Sequence, residues 1–441
     1  MTTTTPESAY QVPTAARDAS VVQARDPRLD FFRGLAMFII LAAHTPGNEW
    51  TRWIPARWGF SDATEIFVFC SGMASAIAFG RSFDRAGWGL GTARVGYRLW
   101  QIYWAHVGMF FAIAAFLAGL DLTGWYEDKA YVGTLNLVPF FDGVVREGEV
   151  VADTVSQLFG YATLTYVPNY FDILPMYMVV LAMMPVVMAL ARVSLGLVAA
   201  ASVLVWLMAQ DALMTRLGLG HLHLAFPAEP WSDRTWFFNP FGWQLLFFTG
   251  FAFMRGWLPP PPVRPWLIGL ALAVLIVSAL LSNMGFRLFQ NDWLRDAYTA
   301  ATGCTETGFG RCNPVFDWRE ANRAWFDKSD HAILHYLHFL ALAYVAWVAA
   351  GEGGHRLVAS GRGRLAGIWN GAVGIVMTVG QQSLAVFVFG MALARVNGWL
   401  LDVIGRDLWT WTLINLTGFG LLIGCAVVAG WFKSQPWRSA R

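Results

Sequence analysis

Ten times along this chain, a run of mostly apolar residues reaches or nearly reaches the ~20 residues that a helix needs to cross a bilayer. The runs centre on 29–48, 62–80, 97–120, 172–191, 194–213, 237–257, 265–284, 331–350, 367–392 and 408–432. The hydrocarbon layer holds no water, so each run must satisfy its backbone polar groups within the protein, which only helices and closed barrels do. Runs of this length select helices. The expected fold is therefore all-α, a polytopic transmembrane bundle of about ten helices. Composition agrees: 56 % of residues are hydrophobic and 14 % are charged, too few polar groups to cover soluble domains of this length. The 33 Phe and 23 Trp suit a lipid-facing surface, and a net charge of +2 gives no footprint for nucleic acid. Two runs stand apart. The first is short and charged at its start, and 367–392 contains Gln381-Gln382-Ser383, where a break is expected.

Lys and Arg gather in alternate loops. Arg81, Arg85, Arg94 and Arg98 follow the second run, Arg192 the fourth, and Arg255 and Arg264 flank a four-proline stretch after the sixth. Arg356, Arg362 and Arg364 follow the eighth, and Lys433, Arg438 and Arg441 the last. Positive residues stay on the cytoplasmic side, which predicts both ends inside. The polar stretch 1–24 lacks the apolar core of a signal peptide and is expected to be a disordered cytoplasmic tail. Residues 25–432 then form one transmembrane domain, with 433–441 as a second cytoplasmic tail. The long loops 121–171, 214–236 and 285–330 fall outside. They carry many rings, among them Trp125, Tyr126, Tyr131, Tyr166, Tyr170, Trp231, Trp236, Trp293, Trp318 and Trp325. Two readings stay open for these: an interfacial aromatic belt, or a surface on which sugar rings stack, with Trp325 as a candidate contact. Cys304 and Cys312 share the third outer loop and are expected to form a disulfide in an oxidising compartment.

Ionisable groups inside apolar runs are costly and mark candidate sites. The first run holds Asp30, Arg33 and His44. Arg33 and His44 are eleven residues apart, so at ~100° per residue they lie within about 20° of one face, His44 being ~16 Å further along. In the second run, Asp62 and Glu65 precede an apolar helix, and Glu65 is placed to orient an imidazole. Small residues Ser71, Gly72, Ala74 and Ser75 suit close helix packing. Arg94 and Arg98, one helical turn apart, read either as ordinary positive-inside residues or as a clamp for nucleotide phosphates. His331, His335 and His338 form one stripe. No third-ligand motif lies near them, which disfavours a metal site and leaves His338, the deepest, as a candidate for acid/base work.

RLDFFRGLAMFIILAAH, EIFVFCSG, RVGYRLWQIYW and VGQQSLAVFVFG together resemble the integral-membrane acyltransferases of the acyltransferase-3 type. Within these the chain most resembles the OpgC type, succinyltransferases of osmoregulated periplasmic glucans, carried by FFRGLAMFIILAAHTPGN, DATEIFVFCSG and LHFLALAYVAW. Glu65 stands where the family more often has Asp. The resemblance implies transfer of an acyl group, succinyl in that family's chemistry, from cytoplasmic acyl-CoA to hydroxyls of an outer glucan. It implies His44 as general base with Glu65 as its partner, and Arg33, Arg94 and Arg98 as holders of the CoA phosphates. Asp30 would position Arg33, while Asp62 would meet the acceptor. Succinyl-CoA would be a co-substrate, with no tightly bound cofactor. A glycan or anion transporter using the same polar stripe is the competing class, and acetyl transfer is a third reading.

Overall fold

The computed structural model describes residues 26–124, 129–305, 312–361 and 363–438. The expected tail 1–24, together with Trp125, Tyr126, Glu127, Asp128, Arg362 and Arg441, lies outside them. The protein is mostly helical, at 74 %. Its principal helices are α1 (Pro27–His44), α2 (Ala63–Ser75), α3 (Arg81–Leu122), α4 (Ile173–Ala182), α5 (Met184–Val193) and α6 (Leu195–Met208). They continue as α7 (Pro240–Arg255), α8 (Pro265–Leu280), α9 (Ile333–Ala350), α10 (Arg364–Gln381), α11 (Ser383–Ile404) and α12 (Leu408–Ser434). Among the described residues, five stretches are long and apolar enough to cross a membrane: Ala63–Leu122, Ile173–Val193, Ile333–Ala350, Ser383–Ile404 and Leu408–Arg438. The first of these folds back on itself, because Gly87 adopts φ +79°, a left-handed backbone open chiefly to glycine. Leu195–Met208 and Pro265–Leu280 are apolar but shorter.

Helix starts follow local chemistry. Proline occupies the first turn of α1, α7 and α8, where no donor is lost. Asp26, Asp62, Asn239 and Asp407 cap α1, α2, α7 and α12 with their side chains. Asp62 and Glu65 make a reciprocal capping box.

Two crossings bring backbones together without side chains between them. A Cβ on Gly72 of α2 would meet the Phe247 carbonyl of α7, and one on Gly250 of α7 would meet the Phe69 carbonyl of α2. Gly34 of α1 likewise faces the Val376 carbonyl of α10, and Gly380 faces that of Asp30. In a membrane, where water drives no helix association, such contact is what packing energy comes from.

The run expected at 367–392 is not one crossing. The chain breaks at Gln382 (φ −106°, ψ 28°), where the Gln381-Gln382-Ser383 interruption was expected, and this separates α10 from α11. Val373 packs with Ala350 and Leu357, Gly380 meets Asp30, and Gly354 meets Pro27 and Arg28; all belong to the same end. The reason is composition: Gly367, Gly371, Gly374, Asn370, Thr378 and Gln381 dilute the apolar run, which still exposes Leu365, Ile368 and Trp369.

The outer-loop segments also depart from pure helix. Val144–Arg146 and Glu149–Ala152 form an antiparallel hairpin, closed by Glu147 and Gly148, both at positive φ, as a two-residue hairpin turn requires. Cys304 and Cys312 are disulfide-bonded. The segment 312–331 folds back over the start of α2: Phe326 stacks on Phe60 at 5.6 Å and on Trp318 at 5.9 Å, and Arg319 sits 4.2 Å from the Phe326 ring centre.

Candidate active site

The three polar residues of α1 all face α11 and its junction with α10. At one end, the Arg33 guanidinium donates to Ser383 Oγ, and Gln381 Nε2 donates to Asp30 Oδ2 at 3.3 Å. Asp30 is wholly buried. Eleven residues on, His44 closes α1. Arg395 of α11 donates to the His44 carbonyl at 3.2 Å, and Tyr170 meets the His44 ring edge-on at 5.4 Å. Tyr170 is held at φ +87°, a conformation that costs a non-glycine residue on the order of 1–3 kcal/mol and often marks a working site. Its hydroxyl donates to the Met391 carbonyl at 2.7 Å.

A second polar group forms where α2 and α9 begin. Glu65, with no exposed surface, accepts from the Asp62 amide at 2.8 Å through Oε2 and pairs with His335 Nδ1 at 2.9 Å through Oε1. Sequence reasoning assigned Glu65 to His44; the structure gives it to His335. The cause is geometric: the capping box turns Glu65 toward the helix start, where α9 arrives. Asp62 accepts from the Thr64 amide at 2.6 Å and forms an ion pair with Lys328. Burial works against the Asp62 charge, but Lys328 and the surrounding hydrogen bonds outweigh it and hold the carboxyl well below the usual range. For Lys328, burial pushes the pKa down, but the charges of Asp62 and Glu65 and the bond to Asp62 win, so it stays above its ordinary value.

Hydrogen-bond roles separate the imidazoles. A carbonyl only accepts, so the 2.9 Å contact of His44 Nδ1 with the Ile40 oxygen places the proton on Nδ1 and leaves Nε2 with a lone pair. His335 Nε2 donates to the Phe326 carbonyl at 3.0 Å while Nδ1 faces Glu65, so neither nitrogen is free. His338 Nδ1 accepts from the Ser61 amide at 3.1 Å and contacts Ser61 Oγ at 2.7 Å; its Nε2 is packed against Gly59. His331 makes no hydrogen bond through either ring nitrogen but is sealed 4.5 Å from the Trp243 ring centre. Among these four, His44 is the one with a basic nitrogen that is neither engaged nor sealed.

Other expected residues lie apart. Arg94 donates to Ser82 and Arg98 to Gln101, within their own hairpin. Trp325 stands 50 % exposed on a short turn. Lys328, His335, Tyr170, Ser383 and Arg395 were not singled out as site residues. Arg395 carried a signal, being a lone cation inside an apolar helix, the criterion that had picked out Arg33.

The family model described as "OpgC protein" matches residues 25–434. The chain belongs to the OpgC family. Membership points to a role in modifying osmoregulated periplasmic glucans, as a glucan-modifying transferase of the membrane. No curated protein and no solved structure gives a significant match. In this OpgC-family chain, two of the motifs quoted above meet in space, Arg33 bonding Ser383, while Glu65 of a third motif bonds His335.

Proposed function

We propose that this OpgC-family protein moves an acyl group, in the first instance succinyl, from cytoplasmic acyl-CoA to a hydroxyl of a periplasmic glucan, with His44 as general base. The observation that carries this reading is the His44 tautomer. Nδ1–H is tied to Ile40, so Nε2 faces the site as the proton acceptor an attacking hydroxyl needs. In the transfer, the sugar oxygen attacks the thioester carbonyl while Nε2 takes its proton. The tetrahedral intermediate then expels the CoA thiolate, which is reprotonated by the imidazolium. The proton balance closes without a covalent acyl-enzyme.

The same reading sets the protein in the bacterial inner membrane, both ends inside, with ten crossings: α1, α2, α3, α4 with α5, α6, α7, α8, α9, α11 and α12. The positive-inside distribution supports this, as does a disulfide in the third outer loop. Arg33, with Arg94 and Arg98 on the same side, would meet the CoA phosphates, Asp30 positioning Arg33. Lys328 and Asp62 border the acceptor side, with Trp325 on its exposed rim.

Purified protein in detergent or liposomes, given succinyl-CoA and glucan, should release CoA and add about 100 Da per site to the glucan, the mass of a succinyl group in place of hydrogen. His44→Ala should lower CoA release by roughly two to four orders of magnitude. Glucan binding or translocation by wild-type protein without CoA release would replace the transferase by a transporter.

A further inference from the structure

Arg395 is a cation in the middle of a membrane-spanning helix, and the bilayer makes such a charge expensive unless it is matched. Its surroundings do not match it. Among the described residues no carboxylate lies within ion-pairing distance of Arg395. Its partners are the neutral carbonyl of His44 at 3.2 Å and the face of Tyr170, 4.1 Å from the ring centre. Its Nε–H is buried and makes no hydrogen bond. The guanidinium is thereby fixed in orientation by two neutral contacts, with donors left over. Tyr170, which supports it from below, is itself held in a costly backbone conformation.

We infer that Arg395 binds the free carboxylate at the far end of the acyl chain and so selects a dicarboxylic donor over a monocarboxylic one. This inference rests on the transferase reading and deepens it. The terminal carbons of a four-carbon acyl group stand about 4 Å apart at ordinary bond lengths, so its carboxylate must be met by a residue close to the base. Arg395 touches the backbone of the very residue whose imidazole faces the reacting carbonyl. A carboxylate arriving there satisfies the leftover donors, and Arg holds carboxylates through paired N–H groups. A monocarboxylic chain of equal length leaves them unpaired, which is the larger part of the discrimination.

The test compares succinyl-CoA with butyryl-CoA, which has the same chain length and ends in a methyl group, using full-length protein and glucan acceptor. Wild type should prefer the succinyl donor by kcat/KM. Arg395→Gln should lower succinyl transfer by roughly 10- to 100-fold through KM, while butyryl transfer holds or rises. Arg395→Lys should restore part of the preference. Butyryl transfer serves as the control for folding. Equal loss of both donors would overturn the assignment, since Arg395 would then meet a phosphate common to both or hold the fold. An unchanged ratio would overturn it as well. Wild-type protein that releases CoA from neither donor overturns the proposed function itself.

Discussion

Glu65 and His335 offer the sharpest check on the outer polar group, because removing either leaves its partner buried. Glu65 has no exposed surface and His335 is 5 % exposed. Truncating one member of such a pair leaves an uncompensated buried group and costs on the order of 3–5 kcal/mol. Glu65→Ala also loses the bond that caps the Asp62 amide, adding about 1 kcal/mol. His335→Ala leaves the Phe326 carbonyl without its donor, at about 1–3 kcal/mol. The double variant has no orphan across the Glu65–His335 bond, so its cost should fall short of the sum by about 2–3 kcal/mol. The assay is SDS-driven unfolding of the detergent-solubilised protein followed by tryptophan fluorescence, for wild type, both single variants and the double. Additivity within about 0.5 kcal/mol would refute the pairing and return Glu65 to the position of a helix cap alone.

Gly72→Leu should prevent accumulation of folded protein, because its side chain would displace the Phe247 carbonyl; intact levels in a membrane immunoblot would contradict that crossing. Lys328→Met strips the half-buried Asp62 of its counter-ion and should destabilise by roughly 1–3 kcal/mol, measured by the same unfolding assay. In wild type, the Lys328 pKa is raised in the folded state, so its contribution is complete below the ordinary lysine value of 10.5 and is lost as pH rises through the folded value. An unfolding curve flat through that alkaline range, for wild type relative to Lys328→Met, would contradict the ion pair. Replacing Cys304 and Cys312 by Ser opens an eight-residue loop and should cost on the order of 2–3 kcal/mol, with full-length protein running at altered mobility only under non-reducing conditions.

Sequence carried the helices well because the bilayer demands a length of apolar residues that few other structures contain. It carried the stripe on α1 for a similar reason: three ionisable groups on one helical face need only the 3.6-residue period to be seen, and the structure sets Asp30 against Gln381, Arg33 against Ser383 and the His44 ring against Tyr170. Partnerships across the bundle were less visible. Glu65 was paired with His44 through the family resemblance, whereas its hydrogen-bond partner, His335, sits 270 residues away, and nothing local encodes that meeting. Lys328 lay in a polar loop where a lysine looks ordinary; its burial follows from the fold of 312–331 over Phe60. The break between α10 and α11 was legible, because Gln381-Gln382-Ser383 interrupts an apolar run.

The break at Gln382 also fixes where two polar groups meet. Gly34 faces Val376 and Gly380 faces Asp30, so α10 is held against the start of α1 at two points, and the chain then restarts at Ser383 beside Arg33. Moving the break by one residue would carry Ser383 around the helix by about 100° and away from that guanidinium. The interruption is thus a register mark as much as the end of a helix.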